Sequence, residues 1–311
     1  MKMSESREII AVDIGATYVR VSFFSKNILL KIKKSETPRE GNSGDVISQK
    51  IIEMIYSNLS KEEINLAVSI GVSSAGPLNI QKGEILNSPN MYFSQIEIKK
   101  PLENEFHKEV KMLNDCHAGV LGEISTDSSL KDKNIVYITI SSGIGAGAFI
   151  NGKLIQGDCG NAGELGHIFV DSEYYLPCKC GGFGHWESYC SGTGMPVFFR
   201  EFSQRNKYDL QAEEELNSQK IFLNAKLKKK YYCDFVEELG KINSRGISCV
   251  IAAYSPEIII LDGSVAINNM DEILKGIYKY TDRHLKMPEI KASKLSGLAP
   301  LYGAAYYSGY L

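Results

Sequence analysis

The stretch Glu8-Ile9-Ile10-Ala11-Val12-Asp13-Ile14-Gly15-Ala16-Thr17-Tyr18-Val19-Arg20-Val21-Ser22-Phe23-Phe24 decides how the rest of the chain is read. Glu8 to Asp13 reads as one strand. Tyr18 to Phe24, alternating and rich in β-branched and aromatic side chains, reads as a second. Ile14-Gly15-Ala16-Thr17 is the tight turn between them. A P-loop needs Lys-Ser/Thr after its glycines and a helix beyond, and this turn has neither. A hairpin turn of small residues can still present backbone N–H groups to phosphate oxygens, because no side chain blocks close approach. In that reading Asp13 faces the magnesium that neutralises the phosphates, through water, and Thr17 adds a hydroxyl donor. The other reading is a plain tight hairpin.

The same strand–turn–strand start recurs near residue 135, which hints at two related halves. Ile135 to Ile140 is a strand, and Ser141 to Gly147 a Gly/Ser turn in which Ser142 offers a second hydroxyl. Gly143-Ile144-Gly145-Ala146-Gly147 does not match the dinucleotide fingerprint, which opens a helix. Between the two starts, Asp45 to Ser57 reads as a helix with Ile47, Ile51, Ile52, Met54 and Ile55 on its apolar face. Leu66 to Val72 is a strand ending in Ser73-Ser74-Ala75-Gly76-Pro77. Glu109 to Leu113 is another, ending at Asn114-Asp115 before a helix over Cys116 to Ile124. Ala148-Phe149-Ile150 and Lys153-Leu154-Ile155 flank Asn151-Gly152, a strong hairpin signal. The stretch from about 190 to 250 is largely helical by pattern, and Glu257 to Leu261 is a buried strand ending in Asp262-Gly263-Ser264. The alternation of strands and helices makes this an α/β protein.

Three groups of residues carry candidate chemistry. Asp115 ends a strand and precedes a helix, where α/β proteins place reactive groups, and suits a carboxylate that takes a proton from an acceptor hydroxyl. It equally suits the N-cap of the helix that follows. Glu164 and His167, in Ala162-Gly163-Glu164-Leu165-Gly166-His167, pair an acceptor with a group that donates or accepts, a good match to sugar hydroxyls. Left to themselves, a lone Glu and His are usually surface residues. Cys178-Lys179-Cys180-Gly181-Gly182-Phe183-Gly184-His185, taken with His167, offers two thiolates and two imidazoles, a set suited to closed tetrahedral zinc. The alternative is a set of reduced, buried cysteines.

Bulk composition narrows the function classes. The 311 residues are 43% hydrophobic and 23% charged, with a net charge of −2, so no electrostatics call for nucleic acid or membrane as a partner. Lys226 to Lys230 is the one basic run and reads as a solvated helix face. Seven cysteines in a chain this long are not a disulfide framework. The apolar run after Arg7 breaks at Asp13, and no stretch reaches the ~18 apolar residues that span a bilayer, so the cytoplasm is expected.

Together these motifs resemble the ROK family of sugar kinases and sugar-responsive repressors, nearly end to end. Asp13-Ile14-Gly15-Ala16-Thr17 with Arg20 resembles its first phosphate motif, and Thr139 to Gly147, with Ser142 and Gly143, its second. Ser74-Ala75-Gly76-Pro77 and Asn87-Ser88-Pro89-Asn90 are similar to its next two turns. Asn114-Asp115 with Ala118 and Gly122-Glu123 looks like the catalytic motif. Ala162 to His167 and Cys178 to Glu187 resemble the sugar and zinc signature. Leu261-Asp262-Gly263-Ser264-Val265 sits where the adenosine motif belongs, and Gly303-Ala304-Ala305 resembles the closing motif.

The resemblance implies a two-domain, actin-like (ribonuclease H-like) ATPase fold with an interdomain cleft. The expected domains are 1–113 with 296–311, and 114–295 carrying the zinc and adenosine sites. It implies Asp115 as general base, and sugar contacts from Ser74, Asn90, Asn114, Asp115, Glu164, His167 and Glu187. Nucleotide contacts fall on Asp13, Gly15, Ala16, Thr17, Arg20, Ser142, Gly143, Gly263 and Ser264. ATP, Mg2+ and a structural Zn2+ on His167, Cys178, Cys180 and His185 follow, as does a homodimer or homotetramer. The expected activity is a hexose kinase, glucose first, with an N-acetylglucosamine or N-acetylmannosamine kinase as the near alternative and a non-catalytic sugar sensor as the distant one. With the phosphate motif starting at Asp13, no room is expected for a repressor's DNA-binding domain ahead of it. Three departures stand out. His185 replaces a zinc cysteine, Ala16 and Ser141 replace glycines of the phosphate motifs, and Asp262 replaces a residue often Gly.

Overall fold

The computed structural model describes residues 7–88, 91–208 and 216–311. In chain order the elements begin with strands β1 (Glu8–Ile14), β2 (Tyr18–Ser25) and β3 (Ile28–Glu36), then helices α1 (Asp45–Asn58) and α2 (Lys61–Leu66). Strands β4 (Ala67–Ser74), β5 (Leu78–Asn79), β6 (Glu84–Leu86) and β7 (Gln95–Glu97) follow, then α3 (Lys99–Phe106), β8 (Glu109–Asn114) and α4 (Asp115–Thr126). Next come β9 (Ile135–Ile140), β10 (Ile144–Ile150) and β11 (Lys153–Leu154). Helices α5 (Glu187–Cys190), α6 (Met195–Arg205), α7 (Ser218–Lys226) and α8 (Lys230–Tyr254) lead to β12 (Ile258–Asp262). The chain closes with α9 (Ser264–Asn268), α10 (Met270–Tyr280), β13 (Glu289–Ala292) and α11 (Ala299–Tyr310).

These elements form two compact units: residues 1–132, 152–162 and 298–311, and residues 133–151 and 163–297. The first is built on a sheet of order β3-β2-β1-β4-β8. β1 pairs antiparallel with β2 and parallel with β4, and β4 pairs parallel with β8. Covering both faces of β1 explains why its sequence is an apolar run rather than an alternation. Ile10, Val12 and Ile14 pack with Val19, Val21 and Phe23 against Ile47, Ile51 and Leu102, while Ile9 and Ala11 pack with Phe24 against Leu301, Ala304 and Ala305.

Small residues set the spacing of α11. A Cβ added at Gly303 would collide with the Ala118 carbonyl of α4, one at Gly122 with the Ala299 carbonyl of α11, and one at Gly71 with the Ala304 carbonyl. This packing puts α4 in the first unit. The sequence reading drew the boundary at 113/114, whereas the chain divides at 132/133, after α4.

The second unit repeats the arrangement. Its sheet carries β10-β9-β12-β13 in that order, with β9 antiparallel to β10 and parallel to β12, and β12 parallel to β13. The Asn151-Gly152 turn after β10 has φ of 52° and 74°, the left-handed pair that a two-residue hairpin demands. Trp186, fully buried, lies on Gly246 of α8 and donates from Nε1 to Asn243 Oδ1 at 2.9 Å. Phe198, Phe199 and Phe202 of α6 pack on Phe235 of α8, the last two edge to face, as an aromatic layer between the two helices.

Candidate active site

Asp13 stands at the end of β1, 5% exposed, with both carboxylate oxygens engaged. Oδ2 accepts from Arg20 Nε at 2.9 Å and Nη2 at 2.6 Å, the two-pronged geometry of a strong ion pair, and Oδ1 accepts from Ser73 Oγ at 2.8 Å. The turn that follows is pinned from its own neighbours. Gly15 N donates to Tyr18 O, Thr37 N to Thr17 O, and Thr37 Oγ1 to Gly15 O at 2.7 Å. Ala16 is absent from the residues with positive φ, so its Cβ meets no backbone penalty.

At the end of β8 the roles of two neighbours separate. Asn114 is the N-cap of α4, its Oδ1 accepting from Cys116 N at 2.9 Å and His117 N at 3.4 Å. Capping, which the sequence left open for Asp115, therefore belongs to Asn114. Asp115 is the first residue inside the helix, with Oδ1 accepting from Cys116 N at 2.8 Å. Ser74, fully buried, donates to Ala75 O. Asn90 lies outside the described residues.

In the second unit, Glu164, His167 and Glu187 converge. His167 Nε2 is 3.9 Å from Glu164 Oε2. Burial pushes the Glu164 carboxyl up, His167 opposes this and Glu187 adds to it, so the two carboxylates feel one another. The Glu164 side chain still keeps 45% of its exposure, enough for a ligand to reach it. Glu187 also holds the second phosphate-type turn. Its Oε2 accepts from Ile144 N at 2.8 Å, lying against Gly143, where a Cβ would meet it. On the other side of that turn Thr193 Oγ1 donates to Ser142 O at 2.8 Å and Gly192 N to Ser141 O at 2.6 Å. Sequence reasoning missed Thr193 and the second role of Glu187, because both depend on partners more than forty residues away. Gly263 precedes α9 with φ of 90° and Ser264 opens that helix; Asp262 Oδ1 accepts from Gly263 N at 2.7 Å and Oδ2 from Tyr137 Oη at 2.7 Å.

His167, Cys178, Cys180 and His185 bring one donor atom each within 4.8 Å of all the others. Cys178 Sγ is 3.6 Å from His167 Nδ1, and Cys180 Sγ is 3.2 Å from His185 Nδ1. Around a tetrahedral zinc, bond lengths of about 2.3 Å to sulfur and about 2.0–2.1 Å to nitrogen put S and N about 3.6 Å apart, so the donor set fits that ion. Burial pushes the His185 imidazole down, which favours the neutral ring a metal needs. The loop is shaped by backbone pairing of Phe169 with His185 and Pro177 with Phe183, and by Gly181 and Gly184 at φ of 90° and 69°. Since Nδ1 of His167 faces the cysteines, its Nε2 is left toward Glu164.

A family model described as the ROK family matches residues 9–308. The chain belongs to the ROK family. This ROK protein is 32% identical to a glucokinase of Pyrobaculum calidifontis over 87% of its own length and 85% of that protein. It is 30% identical to a glucokinase of Aeropyrum pernix, over 84% and 83%. The xylose repressor of Bacillus subtilis is similar at 26%, over 94% of this chain and 75% of the repressor. Among solved structures, the ROK hexokinase of Thermus thermophilus superposes with a TM-score of 0.81 at 23% identity, covering 97% of each chain. A ROK family glucokinase from Streptomyces griseus in complex with glucose and AMPPNP gives 0.78 at 23% identity, over 97% and 99%. At these identities the likeness speaks to the fold, and this ROK protein has the two-domain, actin-like ATPase fold.

Proposed function

We propose that the chain is an ATP-dependent hexose kinase that transfers the γ-phosphoryl group of ATP to a hydroxyl of glucose. The observation that carries this is Asp115, set at the N-terminus of α4 by the Asn114 cap, in a ROK chain whose relatives at 30–32% identity are glucokinases. Asp115 takes the proton of the acceptor hydroxyl as the phosphoryl group arrives, and in-line positioning with charge neutralisation supplies most of the rate. Asn114, Glu164, His167 and Glu187 contribute sugar contacts, with Ser74 and Asn90. Glu164 and Glu187 accept from sugar hydroxyls, and His167 presents Nε2.

Gly15, Ala16 and Thr17 in one turn, and Ser142 and Gly143 in the other, offer backbone and hydroxyl donors to the phosphates. Asp13, held by Arg20 and Ser73, would face through water the magnesium that travels with ATP, which would neutralise the phosphates. Gly263 and Ser264 serve the adenosine end. Zinc on His167, Cys178, Cys180 and His185 would be structural, since protein fills all four positions, and would lock the His167 ring. A reaction with ATP as donor is consistent with the cytoplasm, and the family resemblance supports a homodimer or homotetramer. Among the described residues no helix is long and apolar enough to cross a membrane.

The test is a coupled ADP-release assay with ATP, magnesium and a panel of glucose, mannose, fructose, N-acetylglucosamine and N-acetylmannosamine. Turnover on glucose with the highest kcat/KM is expected. A preference for either N-acetylhexosamine moves the reading to that kinase class. Silence across the panel from folded protein that binds sugar makes the chain a sensor.

A further inference from the structure

Resting on the kinase reading, we propose that His117 is a positioning residue: one hydrogen bond from its ring holds the first turn of α4, and with it Asp115, against the strap of residues 157–162. His117 is the third residue of α4 and fully buried. Its Nε2 lies 2.7 Å from the Ala162 carbonyl oxygen. A carbonyl only accepts, so the ring must carry its proton on Nε2. Nδ1 is buried and has no hydrogen-bond partner among the described residues. Burial pushes the imidazole down, with the Ala162 carbonyl partly opposing, so the ring is neutral and its tautomer is fixed.

That unpaired nitrogen is the telling feature. If the position served packing alone, an apolar side chain would fill it without stranding a polar atom in the interior. The histidine is worth its cost only through the bond it makes. The partner is itself well held. Asn161 Oδ1 accepts from Leu78 N at 3.0 Å, Asn161 Nδ2 donates to Leu78 O at 3.1 Å, and Ala162 N donates to Gln156 O at 3.1 Å. Gly160, at φ of 77°, seats the strap on Ile80. Residue 117 is thus held twice, by its backbone N–H on the Asn114 cap and by its ring on the strap, and both bonds resist rotation of the turn that carries Asp115.

The test compares H117L, which removes the donor at similar volume, with H117Q, whose amide nitrogen stands where Nε2 stood. H117L is expected to lose about tenfold or more in kcat at saturating glucose, since a base displaced by about 1 Å can cost on the order of a hundredfold. Its KM for ATP should be unchanged. H117Q should recover kcat to within about twofold of wild type, as net hydrogen-bond contributions of this kind are small and replaceable. Amide hydrogen exchange across residues 157–162 should quicken in H117L and not in H117Q. Wild-type kcat in H117L, or equal impairment in both variants, overturns the proposal. If H117L does not fold, H117N, too short to reach Ala162, takes its place with the same expectations. If the wild type phosphorylates no sugar, the kinase reading fails, while faster exchange at the strap still shows whether His117 anchors it.

Discussion

Gly303→Ala tests whether the α4–α11 crossing holds Asp115's helix in place. A Cβ at Gly303 would fall well inside van der Waals contact of the Ala118 carbonyl oxygen and carbon. Those are backbone atoms of a helix interior, so no side chain can swing aside and the two helices must part. Replacing Gly by Ala in a helix interior is intrinsically favourable by roughly 1 kcal/mol. Against this, overpacking costs roughly 1–3 kcal/mol and more where backbone is the obstacle. A gap of even 0.5–1 Å forfeits roughly a quarter to a half of the dispersion attraction across the contact. Leu301, Ala304 and Ala305, buried on the same helix against Ile9, Ala11 and Phe24, would share that loss. The balance is a net destabilisation of about 2 kcal/mol, or a fall of about 4–8 °C in melting temperature for a unit of this size. Gly309→Ala on the same helix is the control. There a Cβ meets Ile9 Cδ1 at 2.8 Å and Cγ1 at 3.0 Å, atoms of a side chain rather than of a backbone, so the cost should be smaller, about 1 kcal/mol or less. Thermal melts of both variants decide it. A G303A protein melting at or above wild type, or equal losses in the two variants, would refute the reasoning.

Other perturbations follow from the same geometry. Asp115→Asn should lower kcat by on the order of 10²–10⁴-fold with glucose binding retained by calorimetry; full turnover would remove Asp115 from the role of base. Elemental analysis should find one zinc per chain, and His185→Ala should lower both zinc content and melting temperature while His185→Cys restores them; wild type without zinc ends the metal reading. Glu187→Ala frees Ile144 N–H and should raise the KM for glucose by about tenfold, and an unchanged KM would leave Glu187 only its hold on the turn. The folded protein holds the His117 imidazole below its ordinary value of 6.5, so the unfolded chain takes up that proton first. His117's contribution is therefore complete above pH about 6.5 and is lost as the pH falls below it. Wild type should lose more stability than H117Q between pH about 7.5 and about 5.5, and parallel urea midpoints would contradict the shift.

Elements with a strong local pattern were legible in the sequence. The apolar run of β1, the alternation of β2, the α1 face and the Asn151-Gly152 turn each carry a local signal strong enough to place them. β3 was not foreseen. As the edge strand it is exposed along much of its length, and its Lys31, Lys33 and Lys34 blur the alternation that burial imposes elsewhere. The short strands β5, β6 and β7 escaped because two or three residues hold no period. At the site, residue types were readable and their division of labour was not. Asn114 and Asp115 are adjacent, and only geometry shows that Asn114 caps the helix while Asp115 is its first residue. His117 looked like any helix-interior residue, since its partner lies at Ala162.

The departures from the family pattern also resolve at the level of backbone conformation. A glycine is irreplaceable where φ is positive or where another backbone comes close. Neither Ala16 nor Ser141 has positive φ, and Ser141 keeps the turn through its own backbone, its N donating to Gly143 O and its O accepting from Gly192 N. At the turn that resembles the family's adenosine motif the positive-φ requirement falls on Gly263, at φ of 90°, where a Cβ would also meet the Ile140 carbonyl at 2.5 Å. Asp262 stands one residue earlier, inside β12, and uses its carboxylate to hold the Gly263 N–H and the Tyr137 hydroxyl. The approach to Gly263 is thus hydrogen-bonded through Asp262. Gly143 and Gly263, whose surroundings leave no room for a side chain, are present, while Ala16 and Ser141 stand where one is tolerated and Asp262 puts its own to use.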